Sequence, residues 1–178
     1  TTNEEHQSDK SISIPRFWVN QLDFSRALHQ AKSQSFWLTF HGIANPNNER
    51  TFIATICPAT ALGNSLPAVI GLQSLTPITS LLLLGDFNSI ILDYIARKKI
   101  GSRNMNFFIV TQLPVHSLER YASSDLRGIV PKALELTYTA WDIKAFADDL
   151  WQEADEPLRP QEAMGRELRR NRWRPRGR

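Results

Sequence analysis

Apolar positions along this chain fall into separated blocks whose spacing changes from one block to the next. Pro15 to Leu28 mixes Arg16, Phe17, Trp18, Val19, Leu22 and Phe24 without a sustained period, and reads as a short strand and turn. Ser33 to Ala44, with FWLTF at its centre, predicts a strand followed by a loop. The run Asn45-Pro46-Asn47-Asn48 then supplies turn formers. Thr51 to Cys57 is rich in Thr, Phe and Ile and predicts a second strand, stopped by Pro58. Gly63, Asn64 and Ser65 mark another turn, after which Pro67 to Leu72 can return as a short strand.

Beyond Pro77 the period lengthens. Thr79 or Ser80 is placed to cap a helix, and Leu84, Phe87, Ile91 and Ile95 recur at three- and four-residue intervals to give it one apolar face. Asp93 and Arg97 have the i,i+4 spacing of a helical ion pair. Lys98 and Lys99 complement the negative end of the helix dipole, and Gly101 is free to close the helix in a left-handed conformation. Phe107 to Val110 reads as a strand ending before Pro114, followed by a loop and short helical turn through Tyr121, Asp125 and Leu126. Pro131 to Trp151 predicts a second long helix with Leu136, Ile143, Ala147 and Leu150 on its apolar face and Asp148, Asp149 and Glu153 toward solvent. The predicted architecture is α/β, a small mixed sheet packed with helices. Residues 1–14 read as a flexible lead-in, 15–156 as the main unit and 157–178 as a poorly ordered basic tail.

Composition refines this picture in three ways. With 178 residues and 42% apolar content the chain can form one domain with a core, and global disorder is excluded. Most of its five Trp and nine Phe are expected in that core. Charge is uneven: Arg159 to Arg178 holds eight Arg against two Glu, a net +6 in a chain whose total is +3, so the preceding residues carry −3. The basic pI therefore belongs to the tail. The single Cys57 sits in an apolar run and reads as a small buried thiol, and one cysteine permits no intrachain disulfide. His6, His29, His41 and His116 are scattered, which gives zinc little support. LLLLG is too short to span a membrane and the start TTNEEHQSDK has no apolar targeting core, so a cytoplasmic setting without membrane attachment is expected.

Candidate chemistry concentrates in one place. Arg97, Lys98, Lys99, Arg103, Asn104 and Asn106 lie within ten positions, at a helix exit. Lys and Arg neutralise phosphates, Arg pairs with the two acceptors of guanine, and Asn pairs with the donor and acceptor of adenine. The plainer reading of the same residues is a capped helix end with Phe107 and Phe108 in the core. Arg50 also has two readings, a DNA contact or an ion pair with Glu49 or a more distant acid. Asn45-Pro46-Asn47-Asn48 lacks the second proline and aromatic ring of an adenine methyltransferase tetrapeptide. No glycine-rich strand-to-helix loop offers a nucleotide or S-adenosylmethionine a cradle. Nor do the carboxylates show the converging spacing of a metal-dependent nuclease.

In order along the chain, FWLTFHGIANPNNERTFIATICP, LGDFNSIILDYIARKKIGSRNMNFFIVTQLPV and ALELTYTAWDIKAFADDL resemble the C-terminal region of large adenine-specific DNA methyltransferases. These occur in single-chain restriction-modification enzymes and related phage-defence systems. The resemblance spans roughly Phe36 to Leu150. Asn48-Glu49-Arg50-Thr51 matches an Asn-Glu-Arg-Thr block, Asn88-Ser89 a helix-borne Asn-Ser, and Arg97 a recurrent basic helix end. Asn106-Phe107-Phe108 and Gln112-Leu113-Pro114 match the strand and exit that follow. The tail departs from the pattern.

The resemblance implies a target-recognition-domain-like fragment that holds double-stranded DNA for a catalytic methyltransferase domain of the parent chain, absent from this sequence. Its implied DNA-binding residues are Arg50, Arg97, Lys98, Lys99, Arg103, Asn104 and Asn106. It implies no cofactor and no catalytic residue in the fragment itself, S-adenosylmethionine belonging to the missing domain. The alternative expectation is a structural or protein-interaction module of such an enzyme, with its basic residues paired internally.

Overall fold

FWLTF does form a strand. In the computed structural model, which describes residues 18–30, 35–70 and 75–154, β1 (Phe36–Phe40) pairs antiparallel with β2 (Ala54–Pro58) in the register Phe36 with Pro58 through Phe40 with Ala54. All five β1 residues are buried because the strand is covered along both edges as well as on its faces. On the edge away from β2, the Phe40 N–H donates to Pro67 O and the Val69 N–H to Leu38 O, which makes a one-residue bridge between Thr39 and Ala68 where a third strand was expected. The Trp37 indole N–H donates to Thr60 O at 3.1 Å and fastens the intervening loop over the strand.

The helical half differs from the sequence expectation at four points, each with a local cause. First, Gln21–Gln30 is a helix (α1), and the strand expected over Pro15 to Leu28 is not formed in its described part; the Asn20 side chain accepts from Leu22 N at its start. Second, the single helix through Leu84 and Ile95 is two, α2 (Pro77–Phe87) and α3 (Ile90–Lys99), bent by 64° at Asn88-Ser89. Thr76, not Thr79 or Ser80, caps α2, exchanging side-chain hydrogen bonds with Thr79 while Pro77 occupies the first turn, where no N–H is needed. The bend turns Ile91 out of the shared apolar face to 75% exposure. Helix α3 ends at Lys99 with Ile100 in an extended conformation, without a left-handed Gly101.

Third, Phe107–Val110 is a short helix, α4, and not a strand: the Asn106 side chain accepts from Ile109 N, and its carbonyl accepts from Val110 N. Fourth, the helix expected over Pro131 to Trp151 is split. Helix α5 (Ser123–Thr137) begins earlier, with the Asp125 carboxylate accepting from Ala122 N, and carries Pro131 inside it. A 3₁₀ turn (Trp141–Ile143) then leads into α6 (Lys144–Glu153). Leu136 is 81% exposed, whereas Asp148, expected in solvent, is 2% exposed and takes both of its oxygens to Lys144 Nζ at 2.8 Å.

The result is a small mixed α/β domain, a two-stranded sheet packed against several helices. Helix α2 is its spine, with Leu81, Leu82, Leu83 and Leu84 all buried against α5, α6 and β2. Phe36 meets Phe146 edge-on at 4.7 Å, and Phe52 bridges Phe40 (5.6 Å) and Phe87 (5.3 Å). Among the described residues no single helix is long and apolar enough to cross a membrane. The lead-in over 1–14 and the tail over 157–178 lie outside the described residues, as do Gly71 and Leu72 of the expected third strand.

Candidate nucleic-acid interface

The segment Asn45 to Phe52, which carries the Asn-Glu-Arg-Thr block, is organised by α3. Asp93, 5% exposed, accepts from the Thr51 and Phe52 N–H groups, both at 2.7 Å. Burial pushes its carboxyl up, but those two N–H groups, the Arg97 hydrogen bond and the Arg50 charge outweigh burial and hold it below the usual aspartate range. Arg97, one turn on, donates to Asp93 Oδ2 at 3.2 Å, to Pro46 O at 2.8 Å and to Glu49 O at 2.8 Å. Arg50 donates to Asn88 O at 2.8 Å, and its Nε stands 3.4 Å from Asp93 Oδ1 without the alignment of a hydrogen bond.

Asn88 completes this latch. At the break between α2 and α3 its amide both accepts from Ala54 N and donates to Ala54 O, each at 3.0 Å, imitating a neighbouring strand on the edge of β2. Ser89 beside it caps α3 through Leu92 N. The Asn48-Glu49-Arg50-Thr51 and Asn88-Ser89 blocks are thus one structural unit. Within it the guanidinium groups of Arg50 and Arg97 face the protein's own carbonyls and carboxylate. Of the two readings of Arg50, the structure has the ion pair, with Asp93 as the distant acid.

The remaining candidates stand differently. Lys98 and Lys99 are exposed; Lys98 Nζ lies 5.4 Å from the Tyr94 ring centroid, and Lys99 donates to Gln112 at 3.4 Å. The turn that follows is pinned through its backbone: Ala44 N donates to Arg103 O and Met105 N to Gly42 O, both at 2.8 Å, around a bridge between Ile43 and Asn104. Met105 is buried beneath it. Arg103 and Asn104 are exposed, and among the described residues the Arg103 guanidinium has no hydrogen-bond or ion-pair partner. The Asn106 amide oxygen is engaged in capping α4. Phe107 and Phe108, expected in the core, are exposed, although the Phe107 ring keeps an edge contact with Phe40 at 5.7 Å.

Two further features were not singled out from sequence. Asp86 holds His116 twice, accepting from its backbone N at 2.8 Å and meeting Nδ1 at 2.9 Å, which ties the loop after α4 to the end of α2. Tyr121 packs against the same imidazole at 5.9 Å, and burial, followed by its bond to Asp86 and the charges of Asp86 and Asp125, pushes its hydroxyl well up. Away from these groups, a groove of about 400 Å³ opens between α1 and the 60–68 loop, lined by Phe24, Trp37, Leu66 and Ile70. Among the described residues no group of His, Cys, Asp and Glu is arranged to hold a metal ion. The Cys57 thiol is pushed up by burial, against the lowering effect of its Thr39 contact.

No family model matches this chain, and neither does any curated protein or solved structure.

Proposed function

We propose that this chain is the DNA-binding, target-recognition-like part of a DNA adenine-N6 methyltransferase or restriction-modification enzyme, placing duplex DNA before a catalytic domain elsewhere in the parent protein. The observation that carries the reading is the turn from Ser102 to Asn106. Its backbone is fixed to Gly42 and Ala44, while Arg103 and Asn104 remain exposed directly after Lys98 and Lys99. A rigid turn presenting an unpartnered guanidinium and an amide has the groups needed to read guanine and adenine edges, and lysines beside it supply phosphate attraction. The fragment itself acts by binding and positioning. S-adenosylmethionine and the methyl transfer belong to the proposed partner domain, and a cytoplasmic, phage-defence setting belongs to the same reading.

Arg50 and Arg97 take a different role in this proposal from the one the resemblance suggested. Their hydrogen bonds hold the 45–52 loop against α3, and they support the surface without meeting DNA. That internal pairing is also what a purely structural module would show, which makes the exposed turn the discriminating feature. The direct test is duplex binding by a chain ending before Arg159. Retained, salt-sensitive binding supports recognition by the folded domain, and complete loss of binding assigns the affinity to the Arg-rich tail and overturns the proposal.

A further inference from the structure

The groove beside α1 runs along an open sheet edge. Pro67 to Val69 pair with β1 through the bonds from Phe40 N to Pro67 O and from Val69 N to Leu38 O, around the Thr39–Ala68 bridge. In an antiparallel pair the backbone groups of successive residues face opposite ways, so the Ala68 N–H and C=O point away from β1. Among the described residues neither has a hydrogen-bond partner. Ala68 also lines the groove of about 400 Å³, together with Val19, Phe24, Trp37, Leu66 and Ile70. Val19 and Ile70 are more than half exposed, and of the described α1 side chains only Phe24 is even half-buried. An unpaired edge beside apolar surface suits an extended segment with an apolar residue at every second position.

We infer that Ser11 to Ile14 is that segment, adding a strand at Ala68 and placing Ile12 and Ile14 in the groove. The described residues begin at Trp18, and Val19 is already part of the groove wall. Extended chain from Ile14 to Val19 spans about 17 Å, enough to turn back along the groove. In Ser11-Ile12-Ser13-Ile14 polar and apolar residues alternate, which sets both Ile on one face of a strand and both Ser on the other. Pro15 has no N–H and ends the pairing. The other stretches outside the described residues match less well. Ala31-Lys32-Ser33-Gln34 and Gly71-Leu72-Gln73-Ser74 have no such alternation, and the sequence from Arg159 onward carries eight Arg. The inference stands independently of the DNA-binding reading.

Residue-resolved hydrogen exchange on the whole chain tests it. In the wild type the Ala68 amide exchanges at least about tenfold more slowly than in an Ile12→Ser/Ile14→Ser protein, because pairing closes an otherwise open edge. Ser13→Lys, on the outward face, keeps the protection. The Val69 amide, bonded to Leu38 O, stays protected in every variant and reports that the fold is intact. Fast exchange at Ala68 in the wild type overturns the proposal, and so does protection that survives the loss of both Ile side chains. Protection that rises with protein concentration, alongside a dimer in analytical ultracentrifugation, gives the edge to a second copy and overturns docking within one chain.

Discussion

Arg97 meets the Asp93 carboxylate at 3.2 Å, one helical turn away, and that same carboxylate accepts the Thr51 and Phe52 N–H groups at 2.7 Å. An ordinary i,i+4 pair is thereby turned into the attachment point of a loop some forty residues distant. Because the carboxylate is buried and each of its partners needs it, the unit is cooperative.

Replacing Asp93 with Ala leaves two buried N–H groups without an acceptor and two guanidinium groups without their counter-charge. Arg50 and Arg97 are about a third exposed and recover some hydration. The expected loss is therefore about 2–4 kcal/mol, below the upper range for breaking a fully buried pair. Urea denaturation of wild type and Asp93→Ala measures it, and a loss under about 0.5 kcal/mol would mean that the loop is held by other contacts.

Acid should act through the same group. The Asp93 carboxyl is depressed in the folded protein, so its contribution to stability is fully present above the unfolded aspartate value of about 3.9 and is lost as pH falls from there through the lower folded value. Between neutral pH and pH 5 this group adds no slope. Subtracting the stability of Asp93→Asn from that of wild type across pH 2 to 7 should give a difference that is flat above about pH 5 and shrinks below pH 4.

Asn88 presents a second, independent test of the latch. Its amide satisfies both backbone groups of Ala54, so Asn88→Ala strands one buried donor and one buried acceptor and should cost about 2–3 kcal/mol. Asn88→Asp keeps an acceptor for Ala54 N but sets a carboxylate against Ala54 O, and should be no better. Thermal unfolding of the two variants reads the difference. An Asn88→Asp protein as stable as wild type would show that the bond to Ala54 O contributes nothing.

What the sequence disclosed follows from how local each determinant is. FWLTF is a strand by composition, and Asp93 with Arg97 a pair by spacing, so both were legible. The break at Asn88-Ser89 was not, because the apolar spacing runs through it and its cause, the Ala54 backbone, lies 34 positions away. Four apolar residues at Phe107–Val110 fit strand or helix equally by period. The available signal was Asn106, a strong helix cap directly before them. Asp148 was placed in solvent because acidic runs on helices usually face it. Lys144, one turn earlier, carries its counter-charge into the interior. At the candidate interface, the clustering of basic residues and amides was legible, but which of them faced outward depended on carbonyls at Pro46, Glu49 and Asn88 that no side-chain pattern reveals.

Recognition through the turn after α3 is tested most directly by Arg103→Ala in a chain ending before Arg159, with duplex affinity followed across salt concentration. Arg97→Gln serves as the control for a residue that supports the surface without touching DNA. Arg103→Ala should keep its melting temperature and bind about tenfold more weakly, the scale of a lost base or phosphate contact. Arg97→Gln should melt earlier yet bind normally well below its melting point. Unchanged affinity in Arg103→Ala would remove the turn from the interface and contradict recognition through it.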